Sequence, residues 1–293
     1  MHKSGFVNII GNPNVGKSTL MNALVGERLS IITSKAQTTR HRILGIVNGD
    51  DFQIVFSDTP GILKPSYKLQ ESMMKFVEGA VSDADVVLYV TDTVEQSDRA
   101  NDTLEKIRRS GLPTLLVINK IDLTTPEKLD ALVDKWHEIL PDATIVPVSA
   151  RERFNLEGLF NLILERLPEG EPFYDKDTLT DKNLRFFASE IIREKILRNY
   201  DKEIPYSCEI AIDSYKEEPT IDRIAATIYV LRDSQKGILI GHKGERLKKI
   251  GCLAREDMEE FLGKKVYLEL FVKVNENWRD NERQLKRFGY ELE

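Results

Sequence analysis

Short apolar runs separated by amphipathic stretches organise the first half of the chain. Residues 6–10, 43–47, 52–56, 86–90 and 115–118 read as buried strands, and Val148-Ser149-Ala150 closes another. Between them, apolar positions at helical spacing predict helices over 19–25, 69–81, 104–107, 129–139 and 156–167. This alternation, running from residue 5 to about 167, predicts an α/β unit with a mostly parallel sheet flanked by helices. After Pro168 comes Glu-Gly-Glu-Pro-Phe-Tyr-Asp-Lys-Asp, rich in charge and in residues that break helices and strands. It reads as a linker, with a domain boundary between residues 174 and 175.

The pattern then changes. Leu184, Phe187, Ala188, Ile191, Ile192 and Ile196 make one apolar face of a helix, and strands are expected over 206–212 and 224–231. Cys208 alternates with Tyr206, Ile210 and Ile212 and is expected to be a core thiol. A Gly-x-x-Gly loop at 241–244 leads into a helix with Leu247, Ile250, Ala254, Met258, Phe261 and Leu262 on its core face. A final strand alternates Val266, Leu268, Leu270, Val272 and Val274 against Tyr267, Glu269, Phe271 and Lys273. The second half is therefore a smaller α+β unit, residues 175–293.

Candidate chemistry sits where strands end. Gly11-Asn12-Pro13-Asn14-Val15-Gly16-Lys17-Ser18-Thr19 joins the first strand to the first helix, the context a phosphate-binding loop needs. Its glycines leave backbone N–H groups free to wrap a β-phosphate. Lys17 reaches the β- and γ-oxygens, and the Ser18 hydroxyl ligates Mg2+. Asp58-Thr-Pro-Gly61 puts a carboxylate at a strand tip, where it holds Mg2+ through water, and offers the Gly61 amide to a γ-phosphate. Asn119-Lys120-Ile-Asp122 selects guanine, because the Asp122 carboxylate accepts both N1–H and N2–H, which adenine cannot present. Backbone N–H groups at Ser149 and Ala150 meet the guanine O6. Thr38 and Thr39 lie in the polar stretch between the first helix and the next strand, and Thr39 is the choice to complete the metal shell. Lys17, Thr39 and Gly61 are assigned to the hydrolysis step. The nucleotide is thus GTP or GDP with Mg2+.

Composition narrows the remainder. Acidic residues outnumber basic ones 48 to 42, so attraction to nucleic acid through net charge is not expected. Residues 181–293 carry no net charge, yet Lys236, Lys243, Arg246, Lys248 and Lys249 cluster against the single Glu245. Two cysteines make no disulfide framework, and no Cys/His spacing suits zinc. The apolar runs are too short to span a bilayer, and a cytoplasmic protein without a signal peptide is expected.

The helix, strand, strand, helix, Gly-x-x-Gly, helix, strand order resembles a type II KH domain, which binds single-stranded RNA. Ile240, Gly241, His242, Lys243, Gly244, Arg246, Lys248 and Lys249 match its clasp. The competing reading is a tight turn between helices. Lys264, Lys273 and the C-terminal Arg279, Arg283, Lys286 and Arg287 either extend the clasp or form a solvated helix face.

A P-loop GTPase domain followed by one KH domain resembles the Era family of bacterial GTPases. Lys35-Ala-Gln-Thr-Thr-Arg-His-Arg42, Ala188-Ser-Glu-Ile-Ile-Arg-Glu-Lys195 and the stretch from Trp278 to Tyr290 also resemble that family. The resemblance implies binding to the 3′ end of 16S ribosomal RNA, a role in 16S rRNA processing and small (30S) subunit assembly, and peripheral contact with the inner face of the cell membrane. It also implies a K+ ion near Asn14, which could otherwise be a plain turn former. A monomer is expected. Ile62 follows Gly61 and cannot orient an attacking water, so unassisted hydrolysis is expected to be slow. Two other readings stay open: an RNA-binding switch whose turnover is incidental, and a membrane-associated cell-cycle regulator.

Overall fold

The computed structural model describes residues 1–94 and 101–290, which divide into two compact units between Asp181 and Lys182. In the first unit the strands are β1 (Lys3–Gly11), β2 (Ile43–Asn48), β3 (Phe52–Asp58), β4 (Val86–Asp92), β5 (Thr114–Asn119) and β6 (Thr144–Pro147). Its helices are α1 (Lys17–Val25), α2 (Lys68–Ser82), α3 (Asn101–Ser110), α4 (Pro126–Ile139) and α5 (Leu156–Arg166). The strands form one sheet in the order β2-β3-β1-β4-β5-β6, parallel except for the β2–β3 pair. β1 lies inside the sheet and is buried along most of its length, which is why it reads as an unbroken apolar run. On one face, Ile10, Tyr89, Leu116 and Ile118 pack with Leu104, Ile107 and Trp136 from the helices.

Two expectations are adjusted here. The strand ahead of Ser149 stops at Pro147, because Ser149 and Phe154 exchange two backbone hydrogen bonds and turn the chain out of the sheet. Residues 168–181, expected to be a linker, instead run along the first unit. Gln53, fully buried on β3, accepts the N–H groups of Phe173 and Tyr174 at 2.7 and 3.0 Å. Ile46 donates to the Leu179 carbonyl at 2.8 Å, and Thr180 Oγ1 donates to the Leu44 carbonyl at 2.6 Å. The segment thereby satisfies backbone groups that the edge strand β2 would otherwise expose.

The second unit contains α6 (Leu184–Asn199), α7 (Ile204–Ser207), β7 (Glu209–Glu217), β8 (Ile221–Val230), α8 (Asp233–Ile240), α9 (Glu245–Leu262), β9 (Lys265–Val274) and α10 (Glu282–Arg287). Its sheet runs β7-β8-β9, antiparallel then parallel. Ile192 and Ile196 of α6 pack with Ile250, Ala254 and Met258 of α9 and with Ile224, Ala226 and Ile228 of β8. Tyr206 lies in α7 rather than in a strand, since Pro205 near the helix start has a φ suited to a helical turn. Cys208 ends that turn, fully buried beside the Pro205 carbonyl. Leu184, expected on the core face of α6, is exposed. Trp278 is completely buried, with its indole N–H donating to the Ser207 carbonyl at 3.2 Å, which fastens the C-terminal stretch to this unit.

Candidate functional site: a phosphate and guanine cleft, and a Gly-x-x-Gly clasp

Parallel strands gather their C-terminal ends along one edge, where open α/β sheets bind ligands. Gly11, Asp58, Asp92 and Asn119 all end strands there. A cleft of about 960 Å³ opens beside them, lined among others by Pro13, Asn14, Lys17, Thr19, Gly61 and Asp122.

Backbone demands set the phosphate loop. A Cβ on Gly11 would lie 2.1 Å from the Val90 carbonyl oxygen, and one on Gly16 would lie 2.3 Å from Asn119 Nδ2. Gly16 and Asn14 have φ values of 96° and 66°, a left-handed region open to glycine and tolerated by asparagine. No side chain caps α1 and no acidic residue stands in its first turn, so its leading N–H groups face the cleft as an anion site. The buried Lys17 ammonium donates to the carbonyls of Gly11 and Asn12 at 2.9 and 2.8 Å. Asn12 and Val15 are buried beneath the loop.

Three oxygens converge below. Ser18 Oγ donates to Asp58 Oδ2 at 2.7 Å and lies 2.8 Å from Thr39 Oγ1, which itself donates to Asp58 Oδ2 at 3.3 Å. Thr38 also lines the cleft, its hydroxyl donating to the Lys35 carbonyl at 2.6 Å rather than joining this cluster. Burial pushes the Asp58 carboxyl above the usual carboxylate range, against the opposing pull of the Ser18 hydrogen bond and the Lys17 charge. Its Oδ1 is buried with no hydrogen-bond partner among the described residues. One carboxylate with hydroxyl oxygens fits Mg2+, which takes few protein ligands beside phosphates and water. Bound there, Mg2+ supplies charge neutralisation to a triphosphate. The loop after β3 rides on the phosphate loop: a Cβ on Gly61 would lie 2.7 Å from Pro13 Cα, and the Ile62 N–H donates to the Gly11 carbonyl at 3.1 Å. The Ile62 side chain packs toward the apolar core and offers the phosphates no polar group.

At the guanine end, Asn119 Nδ2 donates to the Val15 carbonyl at 2.9 Å while its Oδ1 accepts the Ala150 N–H at 3.0 Å. Lys120 Nζ reaches the Asn14 carbonyl at 2.5 Å and Asp92 Oδ2 at 2.7 Å. Asp122 accepts the Ser149 hydroxyl at 2.6 Å on Oδ1. Leu123, Arg151 and Arg153 also line the cleft. Sequence reading missed them, although Arg151 directly follows Ala150.

In the second unit Gly241 leads into a short 3-10 turn, His242–Gly244, between α8 and α9, with Lys243 in the left-handed region at φ 48°. Gly241 has φ 74° and a Cβ there would meet Arg246 Cγ at 2.7 Å, while Gly244 has φ 82° and begins the 18-residue α9 without a side-chain cap. His242, Lys243, Arg246, Lys248 and Lys249 are arrayed around the turn with at least part of each side chain open to solvent, and Ile240 is half-buried. A groove of about 360 Å³ beside it is lined by Leu247, Gly251, Cys252, Arg255, Leu268 and Leu270, among others. A close-approach backbone, cations and an apolar floor form the surface on which a single-stranded nucleic acid lies.

Fold and site together define a P-loop GTPase joined to a KH domain. Family models described as "50S ribosome-binding GTPase" and "KH domain" match residues 6–120 and 203–279. The chain is 47% identical over 292 residues to GTPase Era of Clostridium kluyveri, covering 99% of this chain and 100% of that relative. The chain therefore belongs to the Era family of GTPases. It is also 45% identical over 294 residues to the chloroplastic GTPase ERA1 of Zea mays, covering 99% of this chain and 71% of the relative. Among solved structures, a point variant of Aquifex aeolicus Era bound to GDP.AlF4- superposes with TM-score 0.95 at 42% identity, covering 99% of this chain and 100% of that one. Era in complex with MgGDPNP and nucleotides 1506–1542 of 16S ribosomal RNA gives TM-score 0.96 at 42% identity, covering both chains completely. The protein is a GTPase that binds GTP and RNA.

Asp122→Asn is expected to weaken GTP by on the order of 10²-fold or more, since two bonds to a charged acceptor are lost, and to gain xanthosine triphosphate. Competition titration against a fluorescent guanine nucleotide measures both. Asp58→Asn separates stability from function. A folded-state pKa above the unfolded one means that the metal-free fold loses stability as pH rises through that interval and stays penalised above it. The amide removes this penalty, so Tm of the nucleotide-free protein at pH 7 rises by about 2–4 °C per kcal/mol relieved, while the Mg2+-dependent gain in GTP affinity disappears. Thermal melts from pH 5 to 8 check the sign, the variant's advantage over the parent growing with pH.

Proposed function

We propose that GTP binding and hydrolysis in the first unit gate the binding of the KH domain to the 3′ end of 16S rRNA during 30S subunit assembly in the cytoplasm, by a monomer. The observation that carries this reading is the Gly241–Gly244 turn with its surrounding cations, in a chain that matches over its full length an Era bound to a 16S rRNA segment. Peripheral membrane contact rests on family resemblance alone, and among the described residues no helix is long and apolar enough to cross a membrane.

In this reading Lys17 and the N–H groups of the phosphate loop hold the β- and γ-phosphates. Ser18, Thr39 and, through water, Asp58 would hold Mg2+, and Gly61 would donate its amide to the γ-phosphate. Catalysis is positioning and charge neutralisation. With Ile62 unable to orient water, Asn14 would hold a K+ ion whose charge replaces that of an arginine finger.

Two experiments test the reading. Replacing His242 and Lys243 with Asp is expected to abolish binding of a 16S 3′-end oligonucleotide, because carboxylates then face phosphates, while affinity for GTP without RNA is unchanged. In the parent, RNA binds more tightly with a non-hydrolysable GTP analogue than with GDP, and RNA tightens the analogue by the same factor, about 5- to 150-fold. Equal RNA affinity in both nucleotide states rejects the gating. Phosphate release is expected to be faster in K+ than in Na+ at matched ionic strength, and Asn14→Ala erases the difference. Equal rates in the parent reject the K+ site.

A further inference from the structure

Arg42 is absent from the cleft lining, yet it joins three elements of the first unit. Its guanidinium grips Asp83 in two directions, Nη1 to Oδ2 at 2.5 Å and Nη2 to Oδ1 at 2.9 Å. Nε donates to Ser57 Oγ at 2.6 Å, and Nη2 also reaches Asn8 Oδ1 at 3.2 Å. Asn8 is fully buried in the middle of β1, and its amide nitrogen closes the ring by donating to Asp83 Oδ1 at 2.7 Å and to the Ala80 carbonyl at 2.6 Å. A buried asparagine inside a central strand is costly unless each end of its amide is used, and here each end is.

The placement of this network matters more than its strength, because Asp83 is half-exposed. Arg42 stands one residue before β2, and Asp83 one residue after α2. His41 adds a ring contact with Phe76 of α2, centroids 6.1 Å apart. The returning end of the loop that carries Thr39 is thus tied to the end of α2 and, through Asn8 and Ser57, to β1 and β3. Thr39 lies three residue steps before this anchor, a span of about 10 Å at full extension. The adjacent register pair Ile43 and Asp58 sets the anchor beside the carboxylate that the Thr39 hydroxyl meets.

We infer that Arg42 is a positioning residue for the GTP state: by fixing the loop's return through Asp83 and Asn8, it holds the Thr39 hydroxyl where Mg2+ and the γ-phosphate require it. The inference rests on the reading of Thr39 as a metal ligand given above. A bidentate Arg–carboxylate pair fixes orientation as well as distance, which a lysine point charge does not. GDP, lacking the γ-phosphate, makes no use of Thr39 and should be indifferent to Arg42.

The test uses the full chain with Mg2+, titrating GDP and a non-hydrolysable GTP analogue in competition with a fluorescent guanine nucleotide. Arg42→Ala is expected to weaken the analogue by about tenfold with GDP unchanged within about twofold. Arg42→Lys recovers only part of the loss. Asp83→Ala, at a half-exposed position, reproduces the Arg42→Ala pattern and keeps the test open if Arg42→Ala does not fold. Combined with Thr39→Ala, Arg42→Ala adds no further loss. Equal weakening of GDP and analogue, or no effect on either, overturns the inference and leaves the network as plain scaffolding. If Thr39→Ala itself leaves the analogue unaffected, the reading of Thr39 fails and the inference falls with it. A loss with Thr39→Ala but none with Arg42→Ala or Asp83→Ala sinks the inference alone.

Discussion

One side-chain amide, that of Asn119, ties the two ends of the nucleotide cleft together. Nearly all its surface is buried, and its nitrogen and oxygen are engaged by backbone groups of the phosphate loop and of the Ser149–Ala150 turn. The loops that face phosphate and base, 104 and 31 residues away from it in sequence, therefore move as one frame. The same amide dictates Gly16, since any Cβ there would collide with Asn119 Nδ2. Lys120 repeats the connection through the Asn14 carbonyl. Such a frame holds donors and acceptors in place before ligand arrives, so little ordering cost falls on binding.

That frame was legible in the sequence because its parts lie at strand ends and strand ends are easy to find. Apolar runs of four or five residues have few alternatives, and glycine, lysine, asparagine and aspartate at those points carry specific backbone and hydrogen-bonding demands. What stayed hidden depends on packing partners that periodicity does not report. The breakers in 168–181 mark irregular chain, and nothing local to them says that Gln53 waits on β3 to receive Phe173 and Tyr174. Thr38 and Thr39 are chemically equal in sequence, and only the turn that sends the Thr38 hydroxyl to the Lys35 carbonyl distinguishes them. Pro205 was the available signal that the chain before β7 is helical. Asn8 was hidden most completely, as a lone polar residue within an apolar strand whose partners lie more than thirty positions away.

Buried charge is handled differently in the two units. On α6 the Arg193 guanidinium and Glu190 carboxylate are both buried and meet at 2.7 and 2.6 Å, and Lys195 pairs with Asp257. Pairs of this kind neutralise one another where they sit, adding definition to the fold more than net stability. Asp58 is the opposite case. Its partners are neutral hydroxyls and a lysine that is held among loop carbonyls, so the carboxylate stays under-compensated. A fold tolerates that cost where a ligand removes it, which is consistent with a metal beside Asp58.

A similar constraint limits what the nucleotide can signal. A ligand shifts a conformational equilibrium only by its differential affinity for the two states, and GTP differs from GDP by one phosphoryl group. In the proposed reading, the groups from Asn119 and Asp122 through the N–H groups of α1 serve either nucleotide alike. Discrimination is left, in that reading, to the few groups placed to meet a γ-phosphate and its metal, chiefly the Thr39 hydroxyl and the Gly61 amide. The RNA clasp is correspondingly modest, a local set of cations on a unit without net charge. Strong nonspecific attraction would swamp a coupling of about 1–3 kcal/mol, so the proposed gating is better served by a weakly charged clasp than by a strongly charged one.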